Sequence, residues 1–266
     1  KTGTAGVGLT GNPALPQFVQ LGGELEQAKF YDIGTAAGLD STNGRSIIGL
    51  TYKGVENLQA DFWVYHSYDI ADDYYAELKY AIPVAKGMKV KLNAQYLMQK
   101  DTGDALAGDR DFNMIGAKVA IDTKKWGAYL AFNQSGSKDD IATNQEGQYF
   151  NAWGADPAYT SSIFSRNAYR EDVTAYKVGG FYKIMKDLKL VMSYANYGQS
   201  ATSAGNSPNP DYVSQNDAYE LDTVLVYKPS KKWMFKLFNA RRLSEYNGIV
   251  FERRQNHYRA IASYTF

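Results

Sequence analysis

Seven cations and four carboxylates of this chain stand where a side chain could act on a passing solute. Lys79, Lys91, Lys118, Lys177, Lys189, Lys236 and Arg259 fall on the polar positions of stretches that alternate apolar and polar residues, and Asp61, Glu77, Glu220 and Asp222 share that parity. If the stretches are strands, all of these side chains leave one face, because successive residues of a strand point to opposite sides. Around a narrow aqueous passage such a face is mixed but net basic. Its cations focus positive potential and favour anions or carboxylate groups, while acids opposite can hold an ammonium or guanidinium group. The competing reading is that these charges only solvate a water-filled interior.

Other chemistry is thinly represented. The chain has 2 His, His66 and His257, and 0 Cys, which leaves neither a disulfide nor a thiolate metal site. His66 adjoins Ser67, but neighbours on a strand face opposite sides and cannot easily share a proton; no G-x-S-x-G context appears. Asp101, Asp104, Asp109 and Asp111 surround Gly103 and Gly108 without the ordered spacing and closing Glu of a calcium loop, and read as solvated carboxylates. Arg241 and Arg242 adjoin Glu245 at a strand end and read as surface charges paired with loop carboxylates rather than as a lining of the mouth. No catalytic residue, metal or cofactor is expected. A small barrel with a hydrolase role, or an adhesive or structural one in which residues 136–172 bind a partner, is the alternative.

The elements that must position these charges are strands. From Ile47 onward about eleven runs repeat the period of two. Leu58, Ala60, Phe62 and Val64 alternate with Gln59, Asp61, Trp63 and Tyr65, and Val90, Leu92, Ala94 and Tyr96 alternate with Lys89, Lys91, Asn93 and Gln95. Runs at residues 76–82, 115–121, 126–132, 176–182, 188–194 and 221–227 follow the same rule. Composition agrees: 22 Tyr, 12 Phe and 24 Gly favour strands and turns. No apolar run reaches the roughly 18 residues of a membrane helix. A net charge of +1 gives no pull toward nucleic acid.

The connections separate a soluble sandwich from a membrane barrel. Short links at residues 54–56, 83–87, 122–125, 185–187 and 229–232 alternate with longer ones near 100–110, 136–172, 198–217 and 243–256. This sorting predicts an all-β, antiparallel, up-and-down transmembrane barrel with short periplasmic turns and long extracellular loops, a single domain over residues 1–266. The last run, residues 257–266, ends on the aromatic Phe266, a signal of the kind read by the barrel-assembly machinery. The expected surroundings are outer-membrane lipid and lipopolysaccharide of a Gram-negative bacterium, with small-molecule solutes inside. Oligomeric state is open between a monomer and a homotrimer.

Residues 49–58, Gly-Leu-Thr-Tyr-Lys-Gly-Val-Glu-Asn-Leu, resemble a strand and turn of the OprD family of outer-membrane porins. The likeness continues through residues 72–80 and 88–99, through Asp104-Ala105-Leu106-Ala107-Gly108, and through residues 188–194, 220–227 and 236–240. It implies a substrate-selective channel with a basic track on its wall, here Lys79, Lys91, Lys118, Lys177, Lys236 and Arg259, beside an acidic side of Asp61, Glu77, Glu220 and Asp222. Such a track guides carboxylate-bearing solutes such as amino acids, small peptides or aromatic acids. Members of the family are barrels of roughly eighteen strands. Residues 1–44, rich in Gly and Pro, read as loop, so the first several strands are expected to be missing; a complete barrel of about twelve strands, with one near residues 18–25, is the other account.

Overall fold

The computed structural model describes residues 2–3, 30–31, 44–106, 108–136, 147, 149, 157–163, 165, 167–198, 215–246 and 252–265. The proposed strand near residues 18–25 and the terminal aromatic Phe266 lie outside them. A two-residue strand β1 (Thr2–Gly3) pairs with β2 (Phe30–Tyr31). Then follow β3 (Arg45–Tyr52), β4 (Leu58–Ser67), β5 (Ala71–Ala85), β6 (Met88–Asp101), β7 (Asp111–Thr123) and β8 (Trp126–Ser135). After one turn of 3-10 helix (Asn167–Tyr169) come β9 (Thr174–Lys183), β10 (Leu188–Tyr197), β11 (Gln215–Tyr227), β12 (Trp233–Tyr246) and β13 (Glu252–Tyr264).

Strands β3 to β13 form one eleven-stranded sheet in which every strand pairs antiparallel with its neighbours in sequence. Tight links make this possible at one end: Asn57 (φ 62°) and Gly87 (φ 78°) take the left-handed conformation that reverses the chain in the β3–β4 and β5–β6 turns. The other end carries the long connections, with two departures from expectation. The β4–β5 link is only residues 68–70, and β12 and β13 run on to Tyr246 and from Glu252, pairing as far as Glu245 with Glu252, so their link is shorter than residues 243–256. Alternation there continues past the point where the run of apolar residues ends, because polar side chains can face either medium near a rim.

The sheet is rolled. In a flat sheet β5 and β12 lie about 34 Å apart, seven spacings of roughly 4.8 Å. Yet one short stretch of the β8–β9 connection reaches both, Tyr159 bonding Glu77 on β5 and Asn167 bonding Arg242 on β12. That stretch is folded on itself, the Ala158 amide donating to the Tyr169 hydroxyl (2.8 Å) and the Ser162 amide to the Ser165 carbonyl (3.2 Å), so the wall must curve around it.

Two faces result. Leu58, Phe62, Leu92, Tyr96, Leu130, Tyr194 and Tyr264 lie on the convex side, most of them exposed in the isolated chain. Aromatic side chains concentrate beside the short turns on this face: Tyr80, Trp126, Tyr182, Tyr227, Trp233 and Tyr264, with the Trp233 and Tyr264 rings 4.8 Å apart. A second aromatic level further along includes the Phe132–Tyr176 pair at 5.4 Å and Tyr194–Tyr219 at 6.3 Å. Apolar area flanked by two aromatic levels matches a lipid interior with water on both sides. The buried core is on the concave side: Leu97, Phe112, Met114, Ala175, Ala195, Tyr197 and Ala218 of the wall pack against Tyr149, Ala158, Ala168, Tyr169 and Val173 of the β8–β9 connection. No helix among the described residues is long and apolar enough to cross a membrane.

Candidate functional site

The pairing register places Lys79, Lys91, Lys118, Lys177, Lys189, Lys236 and Arg259 on the concave face, with Asp61, Glu77, Glu220 and Asp222. It also shows something that spacing along the chain hides. Lys79 is opposite Asn93, Asn93 opposite Lys118, Lys118 opposite Ala131, and Ala131 opposite Lys177. The same line continues through Ala195 and Glu220 to Arg242. Lys79, Lys118 and Lys177 therefore stand on every second strand of one line across the sheet, about 10 Å apart. A second line, close to the short turns, joins Lys183, Lys189, Val226 and Lys236.

These cations are not equivalent. Lys79 Nζ lies 2.6 Å from Glu77 and 3.2 Å from Asp61, whose carboxylate also accepts from Thr51 and Gln59 at 2.7 Å. Lys91 pairs with Asp122. Lys177, 8% exposed, donates to the Ser161 carbonyl of the connecting segment. Lys118 has no carboxylate within ion-pair distance among the described residues; its ammonium lies 4.3 Å from the Tyr129 ring centre and 5.9 Å from that of Tyr159. Lys189 and Arg259 lie beside Phe181 (5.7 Å) and Phe238 (5.5 Å), inward-facing rings that were not singled out in the sequence although their parity marks them.

The β8–β9 connection meets the concave wall. Residues 136–172 are the segment that the alternative reading gives to a partner, and the described part of it folds into the concavity. Asn133, fully buried on β8, accepts from both the amide and the hydroxyl of Thr160 at 2.9 Å. The Tyr197 hydroxyl donates to the Thr160 carbonyl (2.6 Å), and the Ile163 amide donates to Asp222 (3.2 Å). Arg242 donates to Asn167 Oδ1 (3.2 Å), which corrects its reading as a surface charge; Arg241 does face outward and is exposed. The Tyr159 hydroxyl donates to Glu77 (2.8 Å). Burial, and then the Glu77 carboxylate, push that phenol well above its ordinary value, so it stays a proton donor. A second anchor lies at the long-connection end, where buried Asp73 accepts from Arg45 and from Gln99 (2.6 Å).

The remaining candidates stay apart from this wall. His66 Nδ1 lies 2.5 Å from Asp72, while Ser67 is buried on the opposite face of β4. Asp101 caps the Arg110 amide (3.0 Å), and no group of three or more acidic or His side chains among the described residues is placed to hold a metal.

The arrangement is that of a wall with a segment folded across it, and the sequence of residues 23–266 matches the family model described as outer membrane porin, OprD family. The chain belongs to this family. OprD-family porins are outer-membrane proteins, so the convex face meets lipid, the short turns are periplasmic and the long connections extracellular. Solved structures resemble this OprD-family chain in fold. The outer membrane protein OprD from Pseudomonas aeruginosa is 19% identical with a TM-score of 0.67, over 88% of this chain and 61% of that one. OpdK from the same organism, solved with vanillate, is 18% identical with a TM-score of 0.66, over 84% and 56%. OccAB4 from Acinetobacter baumannii is 15% identical with a TM-score of 0.66, over 85% and 54%. The chain thus spans less than two thirds of the length of these relatives. No sequence among the curated proteins matches it. The family is one of channels rather than enzymes.

Proposed function

We propose that this chain lines a water-filled, substrate-selective passage for passive uptake of small carboxylate-bearing solutes, with the inward β8–β9 segment as its constriction. The observation that carries this reading is the line of cations across the concave wall at the level where that segment narrows the space. A unit charge about 4 Å from a lysine ammonium gains on the order of 4 kcal/mol at an effective dielectric near 20, before desolvation and screening. A carboxylate passing such a wall gains attraction without a deep trap, which release requires. Amino acids, small peptides and aromatic acids all carry the necessary group, and the acids Asp61, Glu77, Glu220 and Asp222 suit a solute that also bears an ammonium.

Lys118, Lys189 and Lys236 are the cations to remove, because among the described residues no carboxylate lies within ion-pair distance of them and none of the three anchors the inward segment. Changing all three to Gln keeps length and polarity. In reconstituted liposomes the entry of small carboxylates should slow several-fold relative to neutral sugars of similar size. Equal slowing of both solute classes, or none, would show that these lysines do not act on the solute. Discrete openings of the wild type in a planar bilayer are the companion measurement for the passage itself.

A further inference from the structure

Tyr159 stands between two immobilised neighbours. The Ala158 amide is tied to Tyr169, and Thr160 is held by Asn133 and Tyr197. From this mount the phenol reaches Glu77 on β5, while its ring passes 5.9 Å from the ammonium of Lys118 on β7. Glu77 is opposite Gln95 and Gln95 opposite Gly116, so Glu77 and Lys118 are two strands and two residues apart, about 12 Å between Cα atoms. That gap is one an extended glutamate and an extended lysine can close. Gly116, the residue of β7 on Glu77's register line, has no side chain of its own, and the Gln95 and Asn133 side chains reach over it. Above them Tyr159 spans the gap, its hydroxyl on Glu77 and its ring beside Lys118.

We propose that Tyr159 is a specificity-determining residue that keeps the Glu77 carboxylate and the Lys118 ammonium apart, leaving Lys118 available to anionic solutes. The hydroxyl holds Glu77 Oε1 while Lys79 holds Oε2, so both oxygens are engaged on the β5 side. The rings of Tyr159 and Tyr129 face the Lys118 ammonium without neutralising it, since a ring quadrupole attracts a cation but carries no net charge. If the phenol oxygen is removed, Glu77 Oε1 loses the bond that directs it to the inward segment, and Lys118, two strands away, has no carboxylate within ion-pair distance among the described residues. An ion pair there would replace a charge by a dipole and weaken the field along the passage.

The proposal rests on the passage described above, and the experiment separates the two. Tyr159→Phe, Glu77→Gln and the double variant are compared with wild type in planar bilayers under a salt gradient, with heat-modifiable gel mobility confirming a folded barrel. Tyr159→Phe keeps the ring and should lower the anion-to-cation permeability ratio by about twofold or more. In the Glu77→Gln background the same change should have no effect, because the freed group is no longer charged. An unchanged ratio in Tyr159→Phe, or an equal drop in both backgrounds, overturns the proposal while leaving the passage intact. A wild-type chain that opens no channel removes the passage, and the proposal with it.

Discussion

Replacing Asn133 by Ala tests whether the inward segment is fastened or only resting on the wall. Thr160 is fully buried, and its amide and hydroxyl both end on Asn133 Oδ1 at 2.9 Å. Without that acceptor the buried amide loses its partner at about 1–3 kcal/mol; the hydroxyl can turn elsewhere and adds roughly 1 kcal/mol. A total of about 2–4 kcal/mol multiplies the detached population by roughly 30- to 700-fold. Chymotrypsin cutting after Tyr159 or Tyr169 reads that population, provided cleavage is slow relative to reattachment. Thr160→Val, which loses only the hydroxyl bond, should raise cleavage by about fivefold. Both variants should retain the folded mobility of the wild type, because the strand ladder is untouched. If Asn133→Ala is cut no faster than wild type, Asn133 does not hold the segment, which must be fixed by other contacts.

Two more outcomes follow from the wall. Arg45 and Asp73 have side chains only 8% and 4% exposed, so Arg45→Ala should cost about 3–5 kcal/mol by stranding a buried carboxylate. Urea unfolding would show it, and adding Asp73→Asn should recover part of the loss; full stability of the single variant refutes the anchor. Cysteines at Gln59, Lys91, Tyr129, Ser193 and Arg259 should react with a water-soluble thiol reagent in the membrane, and cysteines at Leu58, Phe62, Leu92, Tyr96, Leu130, Tyr194 and Tyr264 should not; the reverse pattern would invert the two faces.

The faces were legible in the sequence because lipid and water select opposite residue types, and a strand presents them alternately. Lys91 and Leu92 could be sorted with no knowledge of their neighbours. Register was not legible, since it depends on how each turn offsets one strand against the next. Lys79 and Lys118 share a line only because Asn93 faces both. Arg242 was misread although its parity with Ala240 and Lys236 pointed inward; proximity to Glu245 outweighed the alternation. The fate of residues 157–171 had the weakest signal. They follow neither a period of two nor a helical period, and what marks them as packed is Tyr159 and Tyr169 among small residues, a pattern that exposed loops also show.

Counting charges overstates what such a wall offers a solute. Lys79 and Lys91 are compensated by Glu77, Asp61 and Asp122, and Lys177 is engaged by the backbone of the inward segment. The field of a paired cation decays as that of a dipole, whereas Lys118 lies between two rings with no carboxylate within ion-pair distance among the described residues. Screening sharpens the difference. At physiological ionic strength the Debye length is about 8 Å, close to the roughly 10 Å between cations on alternate strands. A neutralised cation is then hardly felt at the next station, while an uncompensated one governs its own stretch of the passage. In the proposed passage, selectivity therefore depends less on how many lysines face inward than on which groups hold the carboxylates away from them.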